Sequence, residues 1–484
     1  MPGIAAYGVH LPRLRIPRKL IAGAMGWLNG GKKPGRGERT ACNWDEDSLT
    51  MGLEAVRDAL PDYASRRDVR SLVLASTTLP FDDRSNATLV ASALALPDSV
   101  LAADVGGSQR AGTTALAQAF AQSAAIGQHG PIVVAAADRR LARPGSEHEL
   151  AYGHGAAAMV VGADDGLARW IGARHLAADF VDHHRLAGET FDYTLEERWT
   201  REAGWFAQVP PVVRELLATS GLPSSAVRHF IVPADGAIGK RLAALCGIAE
   251  DRLTDPMTDL CGLTGCGHAM LMLAAVLERA APGDLILLVG FGQGVDALLL
   301  QATDRIGTVR PRRGVAASLR ARHEETDYTR FLAHCGILQV ETGMRAERDA
   351  RTAQPALWRK HAEVTALTGG RCERCGTVQF PRSRVCVTPE CRATDTQLPH
   401  LLAENTGRIK TFTEDWLAFT ARPPLVYGNI AFADGGNAFI EFADFDPGEA
   451  QVDAAVRFVF RLKDIDRLRG FRRYFWKAAP LGDA

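Results

Sequence analysis

Between residues 1 and 305, short continuous apolar runs alternate with longer stretches rich in alanine and leucine. The runs "SLVLAS" (71–76), "PIVVAAAD" (131–138), "AAAMVVG" (156–162), "HFIVPAD" (229–235) and "DLILLVGFG" (284–292) are bounded by glycine, proline and acidic residues. Runs of this kind predict buried strands. The segments between them, such as "TTALAQAFAQSAAIG" and "HAMLMLAAVLERA", predict helices with few polar faces. Strands and helices taking turns along a chain predict a layered α/β fold. The start, "MPGIAAYGVHLPRLRIPRKL", reads as a strand and a loop and lacks the apolar stretch of a signal peptide.

The pattern repeats. "DVGGSQRAGTTALAQAFAQSAAIGQHGPIVVAAAD" begins at Asp104 and "DLCGLTGCGHAMLMLAAVLERAAPGDLILLVGFG" at Asp259. Gly107 matches Gly262, Gly112 matches Gly267, and Leu116 matches Leu271. Both copies run acid, glycine loop, helix, Gly/Pro turn, buried strand, which predicts duplicated halves over 1–165 and 166–305.

After residue 305 the pattern changes. Residues 306–365 are charged with few strand signals, which predicts a helical connector. A cysteine cluster at 366–400 follows. Residues 401–484 hold "GRIKTFTEDW", "LVYGNIAFADGGNAFIEFADF" and "AAVRFVFRL", with a hairpin signal in "ADGGNAF", and predict a small β-barrel.

Composition narrows the function classes. The chain has 484 residues, 46% hydrophobic and 23% charged, with 56 basic and 56 acidic side chains. A net charge of zero gives no argument for nucleic acid or an anionic membrane as partner. No apolar run approaches the roughly 18 residues that span a bilayer. A soluble, cytoplasmic protein is the expectation.

Of nine cysteines, Cys372, Cys375, Cys386 and Cys391 cluster as C-x2-C and C-x4-C pairs. Without a secretion signal such a cluster points to metal rather than disulfides. Four sulfur ligands leave no open position, so a bound Zn2+ is expected to be structural.

The motifs together resemble the thiolase superfamily, and within it the hydroxymethylglutaryl-CoA synthase and ketoacyl synthase III branch. "GFGQGV" (290–295) is similar to that branch's closing glycine turn. "GHGAAAMVVG" (153–162) is similar to its Gly-Asp-Gly-Ala segment, with His154 in place of the acid. "DHHRLAGETFDYTLEERWTREAGW" (182–205) resembles the synthase insertion. Residues 366–480 resemble the zinc-ribbon plus OB-fold module that accompanies many thiolase-like proteins. The resemblance implies a duplicated thiolase fold in αβαβα layers, a coenzyme A thioester as substrate, and a homodimer or a thiolase-like partner.

The family's catalytic residues do not carry over. Its nucleophilic cysteine aligns with Gln109, its histidine with Val232, its later asparagines with Asp235 and Leu263, and its acid with about Thr77. A glutamine amide is not usefully acylated, yet it can hydrogen-bond a thioester.

His268, at the start of the second repeat's helix, resembles a Gly-His-Pro histidine of degradative thiolases. It is a candidate to polarise a carbonyl or move a proton, or else packs under a loop. Asp235 could be a base or a helix cap. Tyr193 could be a hydroxyl acid, and the "DHHR" and "FDY" stretches could line the tunnel. Ser108, Gly292 and Gly294 are candidate substrate contacts, and Cys261 and Cys266 candidate displaced nucleophiles or core residues. "RLRGFRRYFW" (467–476) admits RNA or DNA on an OB-fold, or CoA phosphates. Zero net charge and the acyl-CoA resemblance argue against nucleic acid.

The resulting expectation is an acyl-CoA enzyme that makes or breaks a C–C bond of a β-hydroxyacyl-CoA by aldol or retro-aldol chemistry. No acyl-cysteine would form. Decarboxylation of a malonyl-type thioester, a synthase-like condensation and an inactive acyl-CoA-binding subunit are the alternatives.

Overall fold

The computed structural model describes residues 1–28, 35–125, 130–347, 353–466 and 468–482. The chain divides into two compact units. The first holds Met1–Asn43, Asp47–Ala91 and Leu96–Tyr328; the second holds Trp44–Glu46, Ser92–Ala95 and Thr329–Ala484.

The first unit is built on nine strands: β1 (Gly3–His10), β2 (Ser71–Ala75), β3 (Leu101–Val105), β4 (Ile132–Asp138), β5 (Gly155–Gly162), β6 (Ala168–Ala177), β7 (Val227–Ile231), β8 (Leu285–Phe291) and β9 (Gly294–Ala302). Their order is β7-β8-β9-β6-β1-β5-β4-β2-β3. The predicted duplication is visible in this order. In the first half β1, β5 and β4 pair antiparallel in turn, and β4, β2 and β3 pair parallel. In the second half β6, β9 and β8 pair antiparallel, and β8 and β7 pair parallel. The place of β3 is taken there by one parallel bridge from Leu253 to Phe230. The halves join where β1 meets β6 at Gly3–Arg169 and Ile4–Ala168.

Two helices, α1 (Ala111–Ala124) and α2 (His268–Leu277), carry the repeated motif into one hydrophobic core. The matched residues play matched roles. Gly107 and Gly262 both adopt positive φ, +82° and +74°, where a side chain would be strained. A Cβ on Gly112 would lie 2.4 Å from the Cys266 carbonyl oxygen, and one on Gly267 would lie 2.7 Å from the Ala136 carbonyl oxygen. Glycine at both positions lets the two helix starts close on β4 and on each other. Leu116 and Leu271 are both fully buried. α2 is apolar nearly all round because it is enclosed on every side.

The connector is helical in pieces: Gly314–Arg320, Tyr328–His334, Gln354–Arg359 and His361–Thr365. Residues 348–352 of it lie outside the described residues. The compact unit continues past residue 305 to Tyr328 because His323–Glu324 pairs with Leu14–Arg15.

In the second unit, Thr368–Cys372 pairs with Val378–Gln379 and Gln397–Leu401 to form the ribbon. Five strands then follow: Thr406–Asp415, Leu425–Phe432, Asn437–Glu441, Ala455–Asp466 and Phe471–Pro480. The predicted hairpin turns through Gly435 and Gly436, both at positive φ. A bridge between Phe442 and Ala478 nearly closes the strands into a small barrel. No described helix is long and apolar enough to cross a membrane.

Candidate active site

The turn between β3 and α1 begins at Asp104. Its carboxylate does no chemistry: it accepts the backbone N–H groups of Asn86 and Ala87, both at 2.7–2.8 Å, and starts the helix Asn86–Ala93. The turn continues through Ser108, Gln109 and Arg110 into α1, whose N-terminus carries no side-chain cap. The positive end of its dipole is therefore available to an anionic or polarised group.

Gln109 donates from Nε2 to Thr77 Oγ1 at 3.2 Å. These are the positions that the resemblance assigns to the nucleophile and the acid, and they meet here as an amide and a hydroxyl. Behind them stands Asp138, at the end of β4, fully buried. Its carboxylate accepts Ser76 Oγ (3.0 Å), Thr77 N–H (2.8 Å), Thr77 Oγ1 (3.1 Å), Thr78 Oγ1 (3.0 Å) and Cys266 N–H (2.8 Å). One carboxylate thus ties the end of β2, the end of β4 and the loop before α2 to the turn that holds Gln109. An acid closing a buried strand was the only sign of it in the sequence.

Below the turn a second carboxylate does similar work. Asp296 is fully buried and accepts Arg110 Nη1 (2.8 Å), Thr113 Oγ1 (3.0 Å), Thr114 Oγ1 (2.6 Å) and His175 Nδ1 (2.8 Å). Burial raises its carboxyl pKa, but the bonds from His175 and Thr114 and the Arg110 charge outweigh this and hold it below the ordinary carboxylate value.

Arg110 Nε and Ser108 Oγ both donate to the Gly292 carbonyl, at 3.0 and 2.7 Å. Gly292 and Gly294 therefore form a wall. A Cβ on Gly292 would lie 2.8 Å from Ser108 Oγ and 3.1 Å from Gln109 N, and one on Gly294 would lie 1.9 Å from the Leu176 carbonyl oxygen. The Ser108 hydroxyl is spent on this turn.

His268 lies two residues after Cys266, 1% exposed. Burial lowers its pKa to about 4, with only the Pro256 carbonyl pulling the other way. The ring is neutral. Thr264 N–H faces Nδ1 at 3.3 Å, which assigns the proton to Nε2. His268 is thus set to donate a hydrogen bond rather than to abstract a proton.

The other candidates fall elsewhere. Asp235 is exposed, and its carboxylate accepts Ala237 N–H (2.8 Å) and Ile238 N–H (3.0 Å), so it is the N-cap of Gly236–Cys246. Val232 is in the core. Tyr193 is 63% exposed. In the two-residue strand Tyr193–Thr194, alternation turns Thr194 inward to His148 Nε2 at 3.1 Å and Tyr193 outward. His154 is fully buried between Cys42 N–H (2.9 Å) and the Arg140 carbonyl (3.0 Å), and burial holds it neutral. Cys261 and Cys266 are buried; burial pushes the Cys261 thiol up to about 12 and the Cys266 thiol well above its ordinary value, so neither is a thiolate.

The insertion reaches the same centre. Arg185 donates to the Thr77 carbonyl and to Asp192 Oδ1 (2.9 Å), and Arg140 Nε donates to Asp192 Oδ2 (3.0 Å). Two residues before Arg185, His183 Nδ1 pairs with Asp182 Oδ2 at 2.9 Å, with both side chains less than a fifth exposed. That bond leaves Nε2 as the basic nitrogen.

In the second unit the sulfurs of Cys372, Cys375, Cys386 and Cys391 all lie within 4.8 Å of one another. Four thiolates around tetrahedral zinc sit about 2.3 Å from the metal and about 3.8 Å apart. The pairs Cys375–Cys386 at 3.5 Å and Cys372–Cys391 at 3.9 Å fit that spacing. Thr396 Oγ1 lies 3.3 Å from the Cys372 sulfur and Thr377 Oγ1 3.3 Å from that of Cys375, as hydroxyls supporting a thiolate set would. The zinc is structural.

The pattern of the ChsH2 rubredoxin-like zinc ribbon domain matches residues 359–397. A hydroxymethylglutaryl-CoA synthase from Thermococcus sibiricus is 30% identical over 341 residues, covering 69% of this chain and 96% of that protein. The chain belongs to the hydroxymethylglutaryl-CoA synthase family. A second family relative, from Methanocella arvoryzae, is 28% identical and covers 70% of this chain and 99% of that protein. Two solved structures share the fold. MvaS in complex with 3-hydroxy-3-methylglutaryl coenzyme A has a TM-score of 0.59 at 19% identity, covering 70% of this chain and 92% of that one. The curacin-pathway HMG synthase has a TM-score of 0.62 at 13% identity, covering 83% and 99%. The protein is thus a hydroxymethylglutaryl-CoA synthase-like condensing enzyme of the thiolase superfamily. The family's homologous region accounts for about 70% of the chain.

Proposed function

We propose that this family member makes or breaks a C–C bond of a β-hydroxyacyl-CoA without an acyl-enzyme. One observation carries the reading: the start of α1 presents the Gln109 amide, tied to Thr77, where acyl transfer would need a thiolate. The free cysteines near it, Cys261 and Cys266, are buried thiols.

A thioester enolate needs hydrogen-bond donors for its oxygen and a group to carry one proton. Neutral His268 supplies an Nε2–H donor, and the Gln109 amide holds the thioester end. His183, oriented by Asp182, carries the proton. In the cleavage direction His183 Nε2 takes the β-hydroxyl proton as the Cα–Cβ bond breaks. The aldehyde or ketone leaves, and the electron pair stays as the enolate. The proton then returns to the α-carbon to give the shorter acyl-CoA. Asp235 and Tyr193, one spent as a cap and the other facing solvent, are left out of this scheme. The unpaired edge of β3, with Leu101 61% exposed, supports a homodimer in which this strand meets a second copy.

The test is a panel of β-hydroxyacyl-CoAs assayed for carbonyl release. Turnover that His183→Gln removes supports the reading. CO2 release from malonyl-type thioesters alone would move it to decarboxylation. Turnover only after a thiolase partner is added would make the chain a binding subunit.

A further inference from the structure

The insertion folds back on itself as a small hairpin. His183–His184 and Tyr193–Thr194 pair antiparallel, with His183 opposite Thr194 and His184 opposite Tyr193. Leu195 N–H donates to the Asp182 carbonyl at 3.1 Å. Residues opposite each other in such a pair share a face, and neighbours along a strand take opposite faces. The Thr194 hydroxyl turns inward to His148 Nε2, so His183 shares the inner face. His184 and Tyr193 share the other, with their rings 5.3 Å apart. Alternation carries the inner face on to Arg185, two residues after His183, and to Asp192, two residues before Thr194.

Asp192 is the hub of that face. Its side chain is 5% exposed. Oδ2 accepts Arg140 Nε (3.0 Å) and Nη2, and Oδ1 accepts Arg185 Nη1 (2.9 Å). Arg140 belongs to the framework: it follows Asp138 by two residues, is buried, and donates from Nη2 to the Tyr152 hydroxyl at 2.7 Å. Arg185 belongs to the hairpin and also donates to the Thr77 carbonyl, on the residue whose hydroxyl holds the Gln109 amide. One carboxylate therefore joins the fixed end of β4 to the strand that carries His183. Burial raises the Asp192 pKa, but the Arg140 charge and hydrogen bond, with the charges of Arg185 and His183, outweigh this and hold it below the ordinary carboxylate value. A ladder of two pairs is too short to hold a hairpin in place by itself. The placement of His183 thus depends on the side chains that tie the hairpin down.

We propose that Asp192 is a positioning residue: by gripping Arg140 and Arg185 together it fixes where His183 presents Nε2 to the substrate. Asp192 itself touches no reacting atom. This rests on the reading above, in which His183 carries the proton.

A reacting group misplaced by about 1 Å can lose about a hundredfold in rate. Asp192→Asn keeps the shape of the side chain and turns an NH2 toward a guanidinium. It is expected to lower kcat for carbonyl release from a β-hydroxyacyl-CoA at least about tenfold. Affinity for acetyl-CoA, which has no β-hydroxyl and reads binding alone, is expected to stay within about twofold by calorimetry. Asp192→Glu restores the charge and is expected to recover part of kcat. Arg185→Lys keeps the charge but has no planar fork to bridge Asp192 and the Thr77 carbonyl. It is expected to show the same split with a smaller loss, and it carries the test if circular dichroism shows Asp192→Asn unfolded. On an active parent, kcat within about twofold of the parent value in the folded variants would overturn the proposal and leave the reading of His183 intact. Equal losses of kcat and of acetyl-CoA affinity would also overturn it, since Asp192 would then shape the binding site rather than place His183. No carbonyl release by the parent from any β-hydroxyacyl-CoA would reject the reading itself, and this proposal with it.

Discussion

Replacing Asp138 by asparagine changes one atom in a fully buried group that receives five donors from two separate segments, residues 76–78 and the loop at Cys266. Whichever oxygen becomes an NH2, at least one N–H or O–H then faces another donor. If it is Oδ2, the Cys266 N–H loses its acceptor. A buried donor left unpaired costs about 1–3 kcal/mol. The remaining bonds lose their charge assistance, worth about 0.5–1 kcal/mol each. Together the loss is about 4 kcal/mol, which for a unit of this size lowers Tm by about 6 °C. Scanning calorimetry of the full chain measures the shift. A melting point within about 2 °C of the parent would refute the role of Asp138 as the tie between Thr77 and the loop before α2.

Two further outcomes are expected. His268 titrates at about 4 in the folded chain, whereas its ordinary value is 6.5. Below 6.5 the unfolded chain takes up a proton that the folded chain refuses. Its contribution is therefore constant above 6.5 and stability falls as pH drops toward 4, by about 2 kcal/mol at pH 5. Urea midpoints at pH 7.5 and 5.0 measure this, and His268→Gln is expected to flatten the dependence. One zinc per chain is expected by metal analysis. Its removal by a chelator is expected to expose four reactive thiols and to unfold the ribbon, which Cys375→Ser reproduces. A metal-free ribbon that keeps its fold would contradict a structural zinc.

The duplicated fold was legible because its determinants are local. Gly107 and Gly262 mark turns at positive φ, and Gly112 and Gly267 mark helix starts pressed against a strand; both pairs fall at fixed offsets in the repeat. The cysteine spacing was legible for the same reason. The site was legible only in part. Gln109 and Thr77 were assigned by resemblance as the places of nucleophile and acid, and they meet in space. Asp138 and Asp296 were missed because their donors come from residues far apart in the chain, which no window of sequence brings together. Asp235 and Tyr193 occupied suggestive places, but their orientations follow from rules that local pattern also states: an acid before a helix caps it, and neighbours in a strand face opposite ways. The "DHHR" stretch pointed to the tunnel without showing that Asp182 orients His183.

The central claim is that this site handles thioesters without becoming acylated. The direct measurement is the intact mass of the protein after incubation with acetyl-CoA and with a longer acyl-CoA. The account predicts an unmodified mass with both, and an acetylated product only after Gln109→Cys restores a thiol at the start of α1. An acyl adduct on the parent protein, mapped to Cys261, Cys266 or Ser108, would contradict it.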